Sequence, residues 1–504
     1  QLSSALSQQY ESKPMVLGAK CQQAPKQVFS PIDNQCFIGK RIEADVEDCD
    51  IAIANATHAF VAWDEAGVEV RAELLKKLAD ALEQSMPEFI ALAIVEAGKT
   101  VADAVAEVRE AVDFCRYYAD QALKHLMPIT MPGPTGELNK LVLHGRGPFL
   151  CISPWNFPLA IFIGQIVAAL VAGNTVIAKP AEHTSLIAAK AVALMYAVGF
   201  PENVIQLLPG KGSIIGNKLS ADERIKGIMF TGSTEVAKSI QRNLAERDGE
   251  IIPFIAETGG QNIMIVDSSA LPEQVVADVI DSAFGSAGQR CSALRILFLQ
   301  EEVADKIIHM LIGAMKELTM GDPRDIATDI GPVIAAGAQA GLQEHIDKMK
   351  VEAKLLYQVE NSDVTAKGTF IGPVAFELNS LEQLKREQFG PVLHILRYKE
   401  SEFDNTIDAI NSTGYGLTFG AHSRITQVIE KLCKKVRVGN VYINRNMIGA
   451  VVGVQPFGGE GLSGTGPKAG GPHYLPRLCA EKTISINTTA AGGNATLLSL
   501  PEDE

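Results

Sequence analysis

The sequence predicts an α/β protein with two parallel sheets. Its 504 residues are 47% hydrophobic and 21% charged, a mixture typical of a globular chain that is long enough to bury a large core. Two successive series of strand-like and helix-like segments follow one another, and this alternation indicates βαβ units. The first series runs through residues 149–245 and the second through residues 263–318, with a boundary near Glu257.

The segments before the first series predict helices and then an antiparallel pair of strands. Residues 1–30 are polar and mixed, and we expect an N-terminal arm there. Alanine and leucine recur at helical spacing through residues 45–126, until proline and glycine at 132–136 interrupt the pattern. Apolar residues near 141–143 and at 149–152 predict strands on either side of a Gly-Arg-Gly-Pro turn.

The elements of the two sheets follow in order. The apolar run at 157–173 falls short of the roughly 20 residues that span a bilayer, so it predicts a buried helix. In the first series the strands are expected at 176–179, 204–208 and 227–231, and the helices at 185–198 and 235–245. In the second series the strands are expected at 263–266 and 296–299, and the helices at 275–284 and 304–318.

Charge and cysteine usage exclude several classes of function. The 45 basic and 59 acidic side chains give a net charge of −14 without a basic stripe, so nucleic acid is not an expected partner. The eight cysteines are spread singly, without a CxxC motif, which predicts no metal site and favours a reducing, cytoplasmic compartment. The chain begins at Gln1 instead of a methionine, and we therefore expect a fragment of a longer protein.

Two residues at element boundaries are candidates for covalent and acid–base chemistry. Cys291 follows an apolar helix and has polar neighbours, of which Arg290 is expected to favour the thiolate. The alternative is an inert buried cysteine, which is a common environment for this residue type. Glu257 ends an apolar run before two glycines, where a raised pKa would make it a general base. The alternative is a solvated loop acid.

Three turns at strand ends carry candidate binding groups. The small residues Gly232 and Ser233 open a helix whose N-terminus can face a phosphate, although Ser233 is equally suited to be an N-cap. Asn156 can donate its amide to an oxyanion or stabilise an Asx turn. Lys179 and Glu182 can bind a ribose diol or cap a helix. None of these turns has the GxGxxG pattern, which disfavours an ordinary Rossmann dehydrogenase.

Together and in this order, seven motifs resemble the aldehyde dehydrogenase superfamily over nearly the whole chain. These motifs are Trp155-Asn156, Lys179-Pro180-Ala181-Glu182, Phe230-Thr231-Gly232-Ser233, Glu257-Thr258-Gly259-Gly260, Gly288-Gln289-Arg290-Cys291, Glu387-Gln388-Phe389-Gly390-Pro391 and Pro456-Phe457-Gly458-Gly459. One departure is Gln261, which stands where many members have lysine.

The resemblance implies an aldehyde dehydrogenase-like fold with a cofactor domain, a catalytic domain and a β-hairpin oligomerisation arm. The implied NAD-binding domain covers residues 31–256, with the hairpin near 136–150, and the catalytic domain covers 257–445. Residues 446–504 return to the NAD-binding domain and supply an oligomerisation strand near 482–486 and a C-terminal tail. A homodimer is expected.

The subfamily is narrowed by three further segments. Residues 286–295 and 464–475 are similar to the Δ1-pyrroline-5-carboxylate (glutamate semialdehyde) dehydrogenases. The tail at 487–496 is similar to the end of bifunctional bacterial proline utilisation proteins, in which a proline dehydrogenase module precedes this one. The implied reaction is NAD-dependent oxidation of L-glutamate γ-semialdehyde to L-glutamate.

The resemblance also implies a role for each site residue. Cys291 is the nucleophile, Asn156 and the Cys291 N–H hold the oxyanion, and Glu257 activates the hydrolytic water. The implied NAD-binding residues are Trp155, Lys179, Glu182, Gly212, Phe230, Gly232, Ser233, Glu387 and Phe389. The implied substrate-binding residues are Ser292, Ser463 and Gly464, of which the last two are expected to anchor the substrate carboxylate.

Two alternatives remain open at this point. One is an NAD-dependent dehydrogenase of another small semialdehyde, and the other is a catalytically silent structural homologue. The presence of Cys291, Glu257 and Asn156 argues against the silent homologue, and Glu257 argues against a CoA-acylating enzyme because it can activate water.

Overall fold

The computed structural model describes residues 2–491. The α-helices are α1 Leu2–Leu6, α2 Val46–Glu65, α3 Val68–Gln84, α4 Met86–Ala97, α5 Val101–His125, α6 Ala160–Val171, α7 Ser185–Ala197, α8 Asn217–Ala221, α9 Thr234–Ala245, α10 Pro272–Phe284, α11 Glu301–Lys316, α12 Ala336–Glu352, α13 Phe403–Ser412 and α14 Thr426–Lys435.

The strands form five sheets within the described part of the chain. They are β1 Tyr10–Ser12, β2 Lys26–Ser30, β3 Asp33–Arg41, β4 Ile129–Met131, β5 Glu137–His144, β6 Pro148–Ile152, β7 Thr175–Lys179, β8 Ile205–Leu207, β9 Gly227–Thr231, β10 Phe254–Glu257, β11 Ile263–Val266, β12 Ile296–Gln300, β13 Lys354–Gln358, β14 Val374–Glu377, β15 Val392–Tyr398, β16 Tyr415–Gly416, β17 Thr418–His422, β18 Asn440–Ile443, β19 Glu460–Gly461 and β20 Ala480–Asn487.

The first parallel sheet has five strands in the order β10-β9-β6-β7-β8. The chain enters at the central strand β6, builds outward through β7 and β8, and then returns to add β9 and β10 on the other side. The order therefore reverses between β6 and β9. In open α/β sheets, ligands bind outside the carboxyl ends of the strands at such a reversal. The predicted βαβ units are confirmed, and a ligand site is expected at this edge of the sheet.

The second sheet has seven strands in the order β13-β14-β15-β12-β11-β17-β18. All neighbours are parallel except β13, which pairs antiparallel with β14 at one edge. The second α/β series is thus also confirmed. A separate hydrophobic core lies around this sheet, with Phe284, Phe376 and Phe419 among its fully buried side chains.

Helix α6 is the buried helix that the apolar run predicts. Its residues are buried apart from Ile161, and the polar Gln165 lies among them. The segment of helical spacing before the sheet also folds as expected, into α2, α3, α4 and α5. Among the described helices, none combines the length and the apolar character needed to cross a bilayer.

A three-stranded antiparallel sheet with the order β20-β5-β4 stands apart from the two large sheets. Its register pairs Lys482 with Val142 and Ile486 with Leu138, so the predicted hairpin strand and the predicted C-terminal strand do meet. The tail beyond residue 491, which the resemblance at 487–496 includes, lies outside the described residues. The expected N-terminal arm contributes β1 and β2, which flank β3 in another small sheet.

Candidate active site

The register of the first sheet brings four predicted turns to one edge. Ile152 at the end of β6 pairs with Lys179 of β7 on one side and with Phe230 of β9 on the other. Glu257 at the end of β10 pairs with Thr231 of β9. Because all these strands are parallel, the segments that follow them leave the sheet on the same side. This geometry explains how motifs far apart in the chain share one site.

A cavity of about 1210 Å³ lies at this edge and extends towards the second sheet. Every predicted site residue lines it except Ser463 and Gly464. The lining residues from the prediction are Trp155, Asn156, Lys179, Glu182, Gly212, Phe230, Gly232, Ser233, Glu257, Cys291, Ser292, Glu387 and Phe389. Within residues 2–491, no three His, Cys, Asp or Glu side chains cluster so that they could hold a metal ion.

The cysteine loop begins with an unusual left-handed turn. Ser286, Ala287 and Gly288 have φ values of 58°, 53° and 65°, a conformation that costs free energy for residues with a Cβ. A side chain at Gly288 would clash with the carbonyl oxygen of Gly390, so the close approach requires glycine. The turn directs the chain towards the second sheet just before Cys291.

Two buried side chains fix the loop after this turn. Arg295 donates from Nη1 to the Gly288 carbonyl oxygen at 2.6 Å. Asn262 donates from Nδ2 to the Cys291 carbonyl oxygen at 2.6 Å. The Cys291 N–H donates to no acceptor within the described chain and remains free for an oxyanion. The loop is therefore held through its carbonyl groups, while its amide is available for substrate.

The environment of Cys291 does not match one sequence expectation. Burial, followed by the carboxylates of Glu387 and Glu257, raises the pKa of the Cys291 thiol to about 12, while Arg295 opposes the shift. The prediction that Arg290 favours the thiolate is wrong, because its Nη2 forms an ion pair with Asp103 Oδ1 at 2.5 Å. Burial thus disfavours the thiolate, so the thiol must lose its proton before nucleophilic attack.

Glu257 has the raised pKa that its sequence environment suggests. Burial raises the pKa of its carboxyl to about 8, and the Gly459 N–H and Lys468 act in the opposite direction. Gly459 donates to Oε2 at 3.0 Å, whereas Oε1 is buried and has no hydrogen-bond partner in the described structure. A carboxyl group with a free buried oxygen facing a cavity is suited to accept a proton from water.

Asn156 and Trp155 lie on the turn after β6. The Asn156 side chain is largely buried and lines the cavity, yet it forms no hydrogen bond with any described residue, so its amide can donate to a ligand. The Trp155 ring meets the Phe389 ring edge to face, with centroids 5.4 Å apart. The structural Asx turn, the alternative for Asn156, does not occur.

Lys179 and Glu182 form a polar corner at the end of β7. Burial lowers the pKa of the Lys179 ammonium to about 8, and its Nζ donates to the Pro180 carbonyl oxygen at 3.0 Å. The Glu182 carboxylate accepts a hydrogen bond from the Gly212 N–H at 3.0 Å. An ammonium and a carboxylate at adjacent positions can together bind the two hydroxyls of a ribose.

The turn after β9 combines both interpretations that the sequence allows. Ser233 is the N-cap of α9 and accepts from the Val236 N–H at 3.3 Å. Gly232 is tied to the end of β10, because its N–H donates to the Glu257 carbonyl oxygen at 3.1 Å. Since Gly232 and Ser233 also line the cavity, the N-terminus of α9 faces the cavity, where it can bind an anionic group.

Glu387 is held against the Glu257 turn. Arg295 donates from Nη2 to Glu387 Oε1 at 3.1 Å, and a side chain at Gly259 would collide with Oε2. Burial raises the pKa of Glu387, although Arg295 lowers it. The glycine of the Glu-Thr-Gly-Gly motif is thus explained by the approach of this carboxylate.

Ser463 and Gly464 lie outside the cavity, so the expectation that they anchor a substrate is not supported. The Ser463 hydroxyl is fully buried, donates to the Gly259 carbonyl oxygen at 2.8 Å and accepts from the Gly416 N–H at 3.1 Å. Gly464 pairs with Glu257 through an antiparallel bridge. The segment is used to hold the Glu257 turn in place, which leaves its hydroxyl without a free donor for a ligand.

Two features of the cavity were missed by the sequence analysis. The loop at residues 448–452 lines the cavity, and the N–H groups of Gly449 and Ala450 donate to no acceptor within residues 2–491. Glu110 of α5 also lines it, and burial raises the pKa of its carboxyl to about 7. The Gly449-Ala450 pair has no polar side chain, so its glycine is the only sign of it in the sequence. Glu110 lies in an ordinary helical pattern and has no such sign.

The fold and the site define a class of protein, namely dehydrogenases of the aldehyde dehydrogenase type. The profile of the aldehyde dehydrogenase family matches residues 19–484, and the chain belongs to this family.

Among its relatives, the bifunctional protein PutA of Klebsiella aerogenes is 50% identical over 489 residues, which are 95% of this chain and 36% of that protein. The 1-pyrroline-5-carboxylate dehydrogenase of Geobacillus thermodenitrificans is 37% identical over 94% of this chain and 92% of that protein. The solved structure of 1-pyrroline-5-carboxylate dehydrogenase from Thermus with bound NAD matches with a TM-score of 0.90 and 33% identity over 96% of both chains. The chain therefore spans about a third of the length of its bifunctional relative.

Proposed function

We propose that this chain oxidises L-glutamate γ-semialdehyde, the open form of Δ1-pyrroline-5-carboxylate, to L-glutamate with NAD, the second step of proline catabolism. The observation that carries the proposal is the convergence of Cys291, Asn156 and Glu257 on one cavity that also holds free donors for a carboxylate. The relatives also support this proposal, since two of them are 1-pyrroline-5-carboxylate dehydrogenases.

The donor set at the carboxyl edge of the first sheet fits NAD. Lys179 and Glu182 offer an ammonium and a carboxylate for the adenosine ribose, and the N-terminus of α9 at Gly232 and Ser233 would receive the pyrophosphate. Glu387 offers an acceptor for the second ribose. The bound nicotinamide supplies the oxidation, because it accepts a hydride from the substrate carbon.

The chain's own residues perform the acyl chemistry. The Cys291 thiol gives its proton to solvent in the cavity, and the resulting thiolate attacks the aldehyde carbon. The Asn156 amide and the Cys291 N–H stabilise the oxyanion, an effect of about 3 kcal/mol per donor in acyl-transfer sites. After oxidation, the carbonyl carbon is held as a thioester on Cys291. Glu257 then removes a proton from water, which attacks the thioester and releases the carboxylate product.

The polar end of the substrate needs partners of its own. A buried carboxylate without donors is very costly, so a selective site must supply them. Ser292 follows the nucleophile and lines the cavity, and the free N–H groups of Gly449 and Ala450 lie on the lining loop. We place the substrate carboxylate at these three donors instead of at Ser463. The Glu110 carboxyl is suited to receive the substrate ammonium.

Substrate selectivity tests this proposal. Pentanal has the same chain length but neither polar group, so it leaves the buried donors unpaired. We expect its kcat/KM to be about two to four orders of magnitude below that of glutamate semialdehyde. The measurement is the steady-state rate of NADH formation with both aldehydes. Equal efficiency would reduce the assignment to a general aldehyde dehydrogenase, and preference for a different semialdehyde would redirect it.

Cofactor choice tests the assignment of the ribose corner. The Glu182 carboxylate repels a 2′-phosphate, so NAD should be preferred over NADP. Glu182→Gln keeps the shape of the side chain and removes its charge. It should reduce the preference for NAD, mainly by lowering the KM for NADP. Steady-state kinetics with both cofactors for the wild type and the variant measure this. Equal efficiency of the wild type with both cofactors would contradict the assigned role of Glu182.

The assembly is proposed as a homodimer with an upstream module. Strand β20 is exposed along most of its length, and Ile484 and Ile486 are solvent-exposed on it, as expected for a sheet that meets a second copy. The fusion to a proline dehydrogenase is proposed from the bifunctional relatives, of which this chain spans a third. The eight free cysteines are consistent with the proposed cytoplasmic location.

A further inference from the structure

Two buried glutamates outside the predicted site cap the helices that follow the catalytic and cofactor turns. Glu107 of α5 accepts at Oε1 from the N–H groups of Leu159 and Ala160, at 2.8 and 3.3 Å, where α6 begins. Glu96 of α4 accepts from the N–H groups of Leu186 and Ile187, at 2.7 and 2.9 Å, in the first turn of α7.

Both caps accept two backbone N–H groups, but their electrostatic environments differ: Glu107 is paired with Lys99, whereas burial raises the pKa of Glu96 to about 8. Both carboxyls are almost fully buried, with exposed fractions of 1% for Glu107 and 3% for Glu96. The helix α6 follows the turn that carries Asn156, whereas α7 follows the turn that carries Glu182. A carboxylate at a helix N-terminus satisfies orphan N–H groups and fixes the direction from which the chain enters the helix.

Glu107 belongs to a charged cluster that surrounds Phe157. Its Oε2 lies 3.2 Å from the buried Lys99 Nζ, and this ammonium lies 4.4 Å from the centre of the Phe157 ring. The Arg290 guanidinium lies 5.8 Å from the same ring and is paired with Asp103. The ring is therefore held by cations from two elements, in contacts that are strong where water is excluded.

The charged cluster contains a residue next to each of the two proposed oxyanion donors. Phe157 follows Asn156 directly, and Arg290 precedes Cys291 directly. A displaced ring would therefore act on the residues next to the Asn156 amide and the Cys291 N–H. Oxyanion stabilisation depends strongly on this geometry, because the donors must meet the oxygen at about 2.7–3.1 Å.

We propose that the Lys99–Glu107 pair is the positioning device for the oxyanion donors, and that Glu96 is the corresponding positioning residue for the cofactor turn. Neither glutamate contacts the reacting atoms in this proposal. The inference rests on the proposed aldehyde oxidation. It assigns to Glu107 an effect on the step that forms NADH and to Glu96 an effect on NAD binding. Because each glutamate accepts two backbone N–H groups at the start of a helix, each one is the capping control for the other.

The experiment compares Glu107→Gln with Glu96→Gln in the full chain, using glutamate semialdehyde and NAD. For Glu107→Gln we expect the pre-steady-state burst of NADH to slow by about tenfold, within the 10²–10³ that one oxyanion donor supplies, with an unchanged Kd for NAD. For Glu96→Gln we expect the Kd for NAD to rise by about fivefold, as for a weakened helix cap, with an unchanged burst at saturating NAD.

Two further readouts separate positioning from general damage. Alkylation of Cys291 by iodoacetamide needs no oxyanion site, so Glu107→Gln should leave its rate unchanged. In an Asn156→Ala background, Glu107→Gln should slow the burst no further, because the donor through which it acts is already absent. Additive losses in the double variant, or equal losses by both glutamate variants in every readout, would overturn the proposal.

A second variant is the control for loss of folding. Glu107→Gln leaves the Lys99 ammonium buried without its partner, which destabilises proteins strongly. The double variant Lys99→Met/Glu107→Gln removes this charge, and it should recover thermal stability while its burst stays slow. Recovery of the wild-type burst would show that the pair is not needed for positioning and would overturn the inference. If the wild type forms no NADH with any aldehyde, the proposed function itself fails, while NAD binding still tests the role of Glu96.

Discussion

Replacing Cys291 by alanine is expected to abolish NADH formation with every aldehyde while leaving NAD binding intact. The thiolate provides the covalent route, and its loss should raise the barrier by several kcal/mol, so the residual rate should fall below about a thousandth of wild type. NADH formation and NAD titration of the same preparation are the measurements. The alanine is smaller than cysteine and lies in a loop that is held by its carbonyl groups, so the fold should be kept.

Cys433→Ala is the matched control for this variant. Cys433 is also free but is exposed on α14 and does not line the cavity, so full activity is expected after its replacement. Residual turnover of Cys291→Ala above a thousandth of wild type would contradict the role of Cys291 as nucleophile. An equal loss in Cys433→Ala would point to an effect of cysteine removal that is unrelated to the site.

The positions of most candidate residues could be predicted because they follow from strand ends. The predicted strands at 227–231 and 263–266 agree with β9 and β11, and the other strands expected in the two large sheets differ by one residue at one or both ends. The strand expected near 141–143 is longer, since β5 begins four residues earlier. Once a parallel sheet is assumed, the motifs after β6, β7, β9 and β10 must meet at one edge. Such local patterns and their order along the chain are properties that a sequence carries.

The failures concern the partner that a polar side chain selects. Ser463 binds the Gly259 carbonyl oxygen and the Gly416 N–H, which are 204 and 47 residues away. Arg290 turns to Asp103, 187 residues away, instead of to the adjacent thiol. A motif shows which groups are present, but a buried donor or acceptor pairs with whatever group the tertiary fold brings nearest.

The free donors at residues 449–450 were invisible for a different reason. They are backbone N–H groups, which every residue except proline carries, so no residue type marks them. Their availability results from the path of the loop along the cavity, where no described acceptor reaches them. A sequence can suggest this only through a glycine in a segment without regular structure, and Gly449 is one of 44 glycines.

Replacing Glu257 by glutamine is expected to give one burst of NADH followed by a stall at the thioester. A general base contributes about 10²–10⁴ to the step it assists, so steady-state turnover should fall by this factor while the burst persists. Stopped-flow detection of NADH measures both phases, and a stalled acyl-enzyme is detected by mass spectrometry. Loss of the burst itself would instead indicate that Glu257 also removes the proton of the Cys291 thiol, whose pKa burial raises to about 12.

The pH dependence of the wild-type deacylation rate should also identify Glu257 as the base. Burial raises the pKa of Glu257 from its ordinary 4.5 to about 8, and only the deprotonated form can act as a base. Deacylation should therefore accelerate as the pH rises through about 8, and this inflection should be absent in Glu257→Gln. The burst should not show it unless the two steps share the base. A wild-type deacylation rate that is flat between pH 6 and 9 (a window about this pKa) would contradict the assignment.

Stability provides an independent check with a definite sign. Because the pKa of Glu257 is higher in the folded than in the unfolded chain, the folded state holds the proton between about 4.5 and 8. Stability from this group is fully present below the unfolded pKa and is lost as the pH rises through the folded pKa. Glutamine resembles the neutral acid at every pH. Its variant should therefore match the wild type in thermal unfolding at low pH and exceed it at alkaline pH, whereas a glutamate buried as a stabilising anion would give the opposite order.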